Sequence, residues 1–251
     1  MATVAAIWRH PIKSHGRENL ASVELIAGQT MPWDRHWAVI HDRSKFDATA
    51  PAWAVCRNFM IGTLTPRLSG LWAKLDEATA TITLTHPDLG SFTFCPDDPA
   101  ETARFLQWIM PLCPADKDQP TGIVSVPQRG MTDTPFPSIS LMNAASHAEV
   151  EARSGKPLAI ERWRGNFILD GLPAWEEFNW IGKQLRLGEA EIEVAERVVR
   201  CNVTRMNPLT GLQDTDTLAT LNNAFGHQDF GVYARVVKGG KVTAGDKVEV
   251  I

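Results

Sequence analysis

Gln184-Leu185-Arg186-Leu187, Gly188-Glu189-Ala190 and Glu191-Ile192-Glu193-Val194 read as one β-hairpin, and its second strand runs on into Arg200-Cys201. Leu185, Leu187, Ile192 and Val194 fall on one side, the period of two that lays one face of a strand on a core. A thiol and a guanidinium are thereby delivered side by side at a strand exit. Asn207-Pro208 and Thr210-Gly211 mark a turn just beyond. Arg200 and Arg205 favour the thiolate of Cys201, because nearby positive charge lowers a cysteine pKa. A thiolate suits a soft metal or sulfur transfer. The plainer reading is a buried strand cysteine, a common fate of free thiols.

Working outward, most of the chain repeats this short-strand pattern. Val4 to Trp8 and Val23 to Ile26 read as strands, as does Trp37 to His41, which is apolar on both faces. Leu71 to Leu75, Thr81 to Thr85 and Ser91 to Phe94 read as an antiparallel meander rich in threonine. Ser138 to Leu141, Leu158 to Trp163, Phe167 to Leu169, Val232 to Val237, Val242 and Lys247 to Ile251 add further extended segments. Four modest helices are expected. The first has Asp98 as N-cap, Pro99 in its first turn and Glu101 completing a capping box. The second follows Asn143 and ends at Gly155. Pro173 to Trp180 supplies at most two turns, and Leu218, Leu221 and Phe225 have helical spacing before Gly226. Residues 43–70 read as mostly loop. The proline-rich stretch 111–138 reads as a linker or covering loop. The expected fold is β-rich α+β, barrel-like with helices outside, in place of alternating βαβ.

The 251 residues allow one large or two small domains, and 44% hydrophobic with 22% charged residues is enough for a sizeable core. A net charge of -4 argues against general nucleic-acid binding, which needs a basic face. Cys56, Cys95, Cys113 and Cys201 form no C-x-x-C pair, so no zinc or iron–sulfur spacing is present. No secretory signal or membrane-length apolar run is visible. The expectation is a cytoplasmic chain with reduced thiols, no membrane and no nucleic acid. Lys13, in the loop His10-Pro11-Ile12-Lys13-Ser14-His15-Gly16, reads as solvated. Arg35, at the start of a buried strand, needs a partner, and Asp34 is the local one.

Several segments in one order resemble the MOSC-domain family, named after the C-terminal domain of molybdenum-cofactor sulfurases. They are His10-Pro11-Ile12-Lys13-Ser14, Asp34-Arg35-His36-Trp37, Pro135-Phe136, Asn143-Ala144-Ala145-Ser146, Arg164-Gly165-Asn166, Arg200-Cys201, Phe230-Gly231 and Gly245-Asp246. The chain most resembles the two-part branch of bacterial N-hydroxylated-base reductases and mitochondrial amidoxime-reducing components. That resemblance implies an N-terminal β-barrel-like module, residues 1–97, and a MOSC β-barrel with peripheral helices, residues 98–251. It implies a molybdenum cofactor (Mo-molybdopterin) in a cleft between them, with Cys201 as metal ligand and catalytic centre. Lys13, Arg35 or Arg164 would meet the cofactor's phosphate, Ser14 and Asn166 would add neutral donors, and Arg200 would hold the thiolate. Asp133 and Thr134 are possible substrate or cofactor contacts by position; solvated loop residues are the alternative.

The implied activity is removal of oxygen from a small N-hydroxylated substrate. Electrons would come from a separate flavin or iron–sulfur reductase, since no ferredoxin-like cysteine run is present. The alternative is a cofactor or sulfur carrier in which Cys201 bears a persulfide without turnover. Pyridoxal phosphate enters by family association only, through a sulfurase domain for which this chain is too short. Departures from the family pattern are Val198 where many relatives have a cysteine, Thr204-Arg205 where a Thr-Thr pair is usual, and Gly165, which is expected to loosen the backbone aiming Arg164 and Asn166. The family's Thr-Ala-Arg segment is not recognisable between Phe46 and Arg57.

Overall fold

Strand alternation organises the largest sheet. The computed structural model describes residues 1–251, and its eight-stranded sheet takes strands from both ends of the chain. They are β1 (Thr3–Arg9), β2 (Glu18–Leu20), β9 (Ile139–Asn143), β10 (Phe167–Asp170), β11 (Gln184–Leu187), β12 (Ala190–Val199), β13 (Asp229–Lys238) and β15 (Val248–Val250). The order is β15-β11-β12-β13-β9-β10-β1-β2, with β10 and β9 parallel and the other neighbours antiparallel. Val4, Ile7, Ile139, Leu141, Phe167, Leu169, Ile192 and Val194 fill the concave core of this curled sheet. Met142, Ile168, Val198 and Phe230 face the other way, where α2 (Ala144–Ser154) and α3 (Thr217–Phe225) supply Val150 and Leu221. The period of two thus assigns one face to the barrel interior and the other to the helices.

A second core forms under β4 (Trp37–His41), β5 (Trp72–Asp76), β6 (Thr81–His86) and β7 (Gly90–Phe94). Trp37, Val39, Ile82, Leu84 and Phe94 meet Phe105 and Ile109 of α1 (Pro99–Ile109) there. The ring of Phe94 stacks on Phe105 at 4.5 Å between centroids. The division expected at residue 97/98 is crossed in both directions: β1 and β2 pair into the large sheet, and α1 packs in the core of the first module. The β3 strand (Ser22–Leu25) likewise pairs with β14 (Gly240–Thr243). No helix is long and apolar enough to cross a membrane.

The β-rich class and the helix starts agree with expectation, and four details differ. Asp98 caps α1 by accepting from Ala100 N and Glu101 N, but Glu101 reaches back to Cys95 N at 2.6 Å in place of the cap residue, so the box is open. Residues 111–138 are no mere linker: β8 (Pro120–Ser125) pairs antiparallel with β4. A proline is tolerated as the first residue of that strand because it has no ladder hydrogen bond to give. Leu158 to Trp163 is not a strand but ends in a 3-10 turn at Ile160–Trp163. The fourth helix is also a 3-10 turn, Glu176–Trp180, leaving three α-helices.

Candidate active site

The loop after β1 brings Lys13 inward. Its backbone N–H donates to Trp37 O at 2.8 Å. Gly16, at φ 81, lies so close to the meander that a Cβ there would come within 2.8 Å of Ala73 Cβ. His15, fully buried, donates through Nδ1 to Lys13 O at 2.7 Å, and burial pushes its pKa down to about 4. Lys13 is therefore not solvated. It is 4% exposed, and Nζ donates to Met131 O at 2.7 Å and to Asp133 Oδ1 at 2.5 Å. The Asp133 side chain keeps 55% of its surface open. The nearby Lys13, Arg35 and Arg164 together hold its pKa below the usual carboxylate range. The result is an accessible carboxylate under the influence of three cations.

Arg35 has the local partner expected of it. Asp34, fully buried, pairs with Arg35 Nη1 and accepts from His10 N at 2.8 Å. Burial alone would raise the Asp34 pKa; Arg35 and His10 hold it well below the carboxylate range. Arg35 Nη2 donates to Arg164 O at 2.9 Å, tying the two modules at this point.

Arg164 has no such carboxylate. It closes the Ile160–Trp163 turn in the left-handed region at φ 50. The one hydrogen bond of its side chain is from Nη2 to Gly16 O at 3.3 Å. Burial and then the neighbouring Arg35 and Arg17 push its pKa down to about 9. It still carries full charge at neutral pH. Arg17 is also buried, donates to the carbonyls of Ser69, Leu71 and Pro208, and lies 4.1 Å over the Trp72 ring. Its Nε has no partner. Arg17, Arg162 and Arg164 line one crevice with Glu161, which opposes the fall of the Arg17 pKa to about 10 caused by burial. Positive charge exceeds negative here, and a buried guanidinium without a carboxylate is satisfied by an anion from outside.

The end of β12 presents Cys201. Register shifts between Val194 and Glu196 and between Arg197 and Val199 bend the strand beside the site. Val198 is buried, Val199 is 72% exposed, Arg200 is buried and Cys201 is exposed. The buried-strand-cysteine reading therefore fails. Cys201 Sγ lies 3.7 Å from Thr63 Oγ1, and its carbonyl accepts from Thr204 Oγ1 at 3.1 Å. Arg200 turns away from the thiol. Nε donates to Phe230 O, Nη1 to Trp163 O and Nη2 to Met142 Sδ, each at 2.8 Å. Trp163 and Phe230 stack at 3.9 Å beside it. Burial pushes the Arg200 pKa down to about 10, opposed by Tyr233, Cys201 and Asp133.

Two more expected contacts are spent on the framework. Asn166 Oδ1 accepts from Ser140 N and Oγ, and Nδ2 donates to Trp8 O at 3.3 Å, which ties β9 to β1. Thr134 Oγ1 donates to Phe136 O and shares a 2.7 Å bond with Ser138 Oγ. Ser14 is half-buried at φ 63 on the Lys13 loop. Gly165 does not loosen the backbone: a Cβ there would lie 2.3 Å from Met142 Cγ, so glycine is what lets this turn close on β9. The structure thus brings together Lys13, Asp133, Arg35 and Arg164, seats Cys201 against Thr63, and adds Arg17, Thr63 and Tyr233, which sequence reading missed. Burial, with Asp133 next, pushes the Tyr233 pKa up to about 12. Its place on alternating β13, between Val232 and Ala234, was the available signal. Arg17 stood three residues past Ser14 with no pattern around it. A separate group, His41, Asp42 and Asp118, has its histidine engaged at both nitrogens, with Arg43 N and Arg57 O, and its Asp118 held by Arg43.

Comparison with known proteins fits this geometry. The MOSC N-terminal beta barrel domain matches residues 1–108, and the MOSC domain matches residues 131–249. Mitochondrial amidoxime reducing component 2 of Homo sapiens is 29% identical over 120 residues, 43% of this chain and 35% of that protein. Molybdenum cofactor sulfurase of Drosophila pseudoobscura pseudoobscura is 30% identical over 94 residues, 37% of this chain and 12% of that protein. The YuaD protein of Bacillus subtilis superposes with a TM-score of 0.48 at 14% identity, covering 99% of this chain and 94% of the other. The chain spans about a third of the amidoxime reducing component it matches and about an eighth of the sulfurase.

Proposed function

Starting from a chain that belongs to the MOSC-domain family, we propose that it is a molybdenum-cofactor oxidoreductase acting on small N-hydroxylated compounds. Two observations support this most: an exposed free thiol, Cys201, at the end of β12, and a guanidinium, Arg164, that forms no ion pair with a carboxylate. The donor set suits the group. A thiolate ligates a soft metal, and the Arg164 and Arg17 guanidiniums suit a phosphate. The bound cofactor would supply two-electron chemistry for taking oxygen from nitrogen.

The chain's own residues do the rest. Cys201 would hold the metal at the exposed strand end. Arg164, which shares a crevice with Arg17 and its unpartnered Nε, would hold the anionic end of the cofactor. Arg35 is neutralised by Asp34 and fixes the Arg164 backbone, so it is a positioning residue in this reading. Lys13 holds Asp133 ionised, and the open half of that carboxylate accepts N–H bonds from the pterin or from an amidine-like substrate. Arg200 orients the Cys201 strand end from below. A separate flavin or iron–sulfur protein supplies electrons, and the cytoplasm would keep the four free cysteines reduced.

Elemental analysis tests the reading. Protein from a cofactor-competent host is expected to carry near-stoichiometric molybdenum and to reduce benzamidoxime with an artificial electron donor, both lost in Cys201→Ser. Stoichiometric metal without turnover supports a cofactor carrier. Absence of metal from folded wild-type protein overturns the proposal.

A further inference from the structure

The Cys201 sulfur has one hydrogen-bond partner in the chain, Thr63 Oγ1 of the first module, at 3.7 Å. That hydroxyl in turn bonds nothing else, and Thr63 is half-buried. Local turns fix both residues. On one side, Leu64 N and Thr65 N donate to Ile61 O at 3.1 and 2.9 Å, closing a turn around Thr63. Gly62 lets that turn press on the segment after Cys201: a Cβ there would come within 2.6 Å of Val203 Cγ2. On the other side, Cys201 O accepts from Thr204 N at 3.3 Å and from Thr204 Oγ1 at 3.1 Å. Thr204 is itself tied to Thr217 Oγ1 of α3 at 2.6 Å and to Arg162 Nη1, which donates to its carbonyl at 3.1 Å. The backbone on both sides is therefore held, and Thr63 is what remains to orient the sulfur.

Building on the molybdenum-cofactor reading of this site, we propose that Thr63 donates a hydrogen bond to the Cys201 sulfur when that sulfur ligates the metal, and so sets how much electron density the thiolate gives. While Cys201 is a free thiol, either atom can be the donor. A ligating thiolate has no proton, so the hydroxyl is then the donor. Cys201 is exposed, and water competes for its sulfur in the free chain. A large group on the sulfur displaces that water, and the bond strengthens in the lower local dielectric. Hydrogen bonds to ligating sulfurs raise the reduction potential of the metal by drawing density from the thiolate. Thr63 touches the ligand atom and not the substrate, so it is a positioning residue, contributed by the first module to a ligand on the second.

The test compares wild type, Thr63→Val and Thr63→Ser, all full-length, made in a cofactor-competent host and matched for molybdenum content. Valine keeps the shape of threonine without its hydroxyl, and serine keeps the hydroxyl. In Thr63→Val the molybdenum reduction potential is expected to shift downward and the molybdenum(V) electron paramagnetic resonance g-values to move. Turnover of benzamidoxime per molybdenum is expected to fall about tenfold. Thr63→Ser is expected to restore all three. Loss of metal from the valine variant but not from the serine variant would support the same bond. Metal-loaded Thr63→Val with wild-type potential and spectrum overturns the inference alone, as do equal changes or equal metal loss in both variants, which would point to the lost methyl. A wild-type protein without molybdenum overturns it together with the reading beneath it.

Discussion

Arg200 is buried and Arg164 is half-buried, and the two guanidiniums differ in what holds them. Arg200 gives its donors to the Phe230 and Trp163 carbonyls and to Met142 Sδ, and it lies against two stacked rings. It is part of the framework. Arg164 makes one long bond, to Gly16 O, and faces Arg35 and Arg17. No carboxylate forms an ion pair with it, although Asp34 and Asp133 act on it from a distance. A buried charge of the first kind stabilises a fold by satisfying carbonyls. One of the second kind costs stability unless a ligand completes it, which marks it as a binding group.

The largest effect on stability is expected where a framework donor is removed. Arg200→Met leaves two carbonyls without their donor and should lower unfolding stability of the cofactor-free protein by about 3 kcal/mol. Arg164→Met removes a repelled charge and should change it by less than about 1 kcal/mol. Urea denaturation of both variants decides the matter, and equal losses would erase the distinction drawn between them. The same Arg164 variant, made in a cofactor-competent host, should carry at most about a tenth of the wild-type molybdenum.

A pH titration sharpens the same contrast. His10 and His15 are both fully buried. Burial, then Arg164 and Arg35, push His10 down to about 3, and burial pushes His15 down to about 4. In the folded state both stay neutral where the unfolded chain already takes protons. Their contribution is therefore complete above pH 6.5 and is lost as pH falls from 6.5 toward those folded values. Between pH 6.5 and 5 each histidine should cost about 2 kcal/mol. Arg164→Met should leave this slope unchanged and instead end the loss at a higher pH, near the folded His10 value, because it removes one of the charges that depress His10. An unchanged lower end of the profile would mean that Arg164 is screened from His10.

Smaller effects test the packing around the two arginines. Gly165→Ala drives a methyl into Met142, the residue that accepts from Arg200. A flexible methionine gives partway, so a loss of about 1–2 kcal/mol is expected, along with a change in the near-ultraviolet dichroism of Trp163. Asp98→Ala, far from either arginine, should cost about 1 kcal/mol as an ordinary cap loss and leave metal content unchanged.

The hairpin into Cys201, the meander, and the caps at Asp98 and Asn143 were legible because each rests on neighbours in sequence. The Pro120–Ser125 strand was not, since prolines mask an edge strand whose partner, β4, lies some eighty residues away. Lys13 read as solvated for the same reason: Met131 O and Asp133, which hold it, are far along the chain. Arg35 was legible because its partner is the adjacent Asp34.

The site divides along the same line. Sequence by itself determined the β-rich class, the strand that delivers Arg200 and Cys201, and the residue types that suit a thiolate-ligated metal and an anion. Those properties follow from local periodicity and side-chain chemistry. Only the tertiary structure decided which basic residues are neutralised and which is left over. It also placed Asn166 and Thr134 in the framework, where a motif match cannot tell a ligand from a brace. Charge balance and accessibility are sums over residues distant in the chain, and the fold alone brings those residues together.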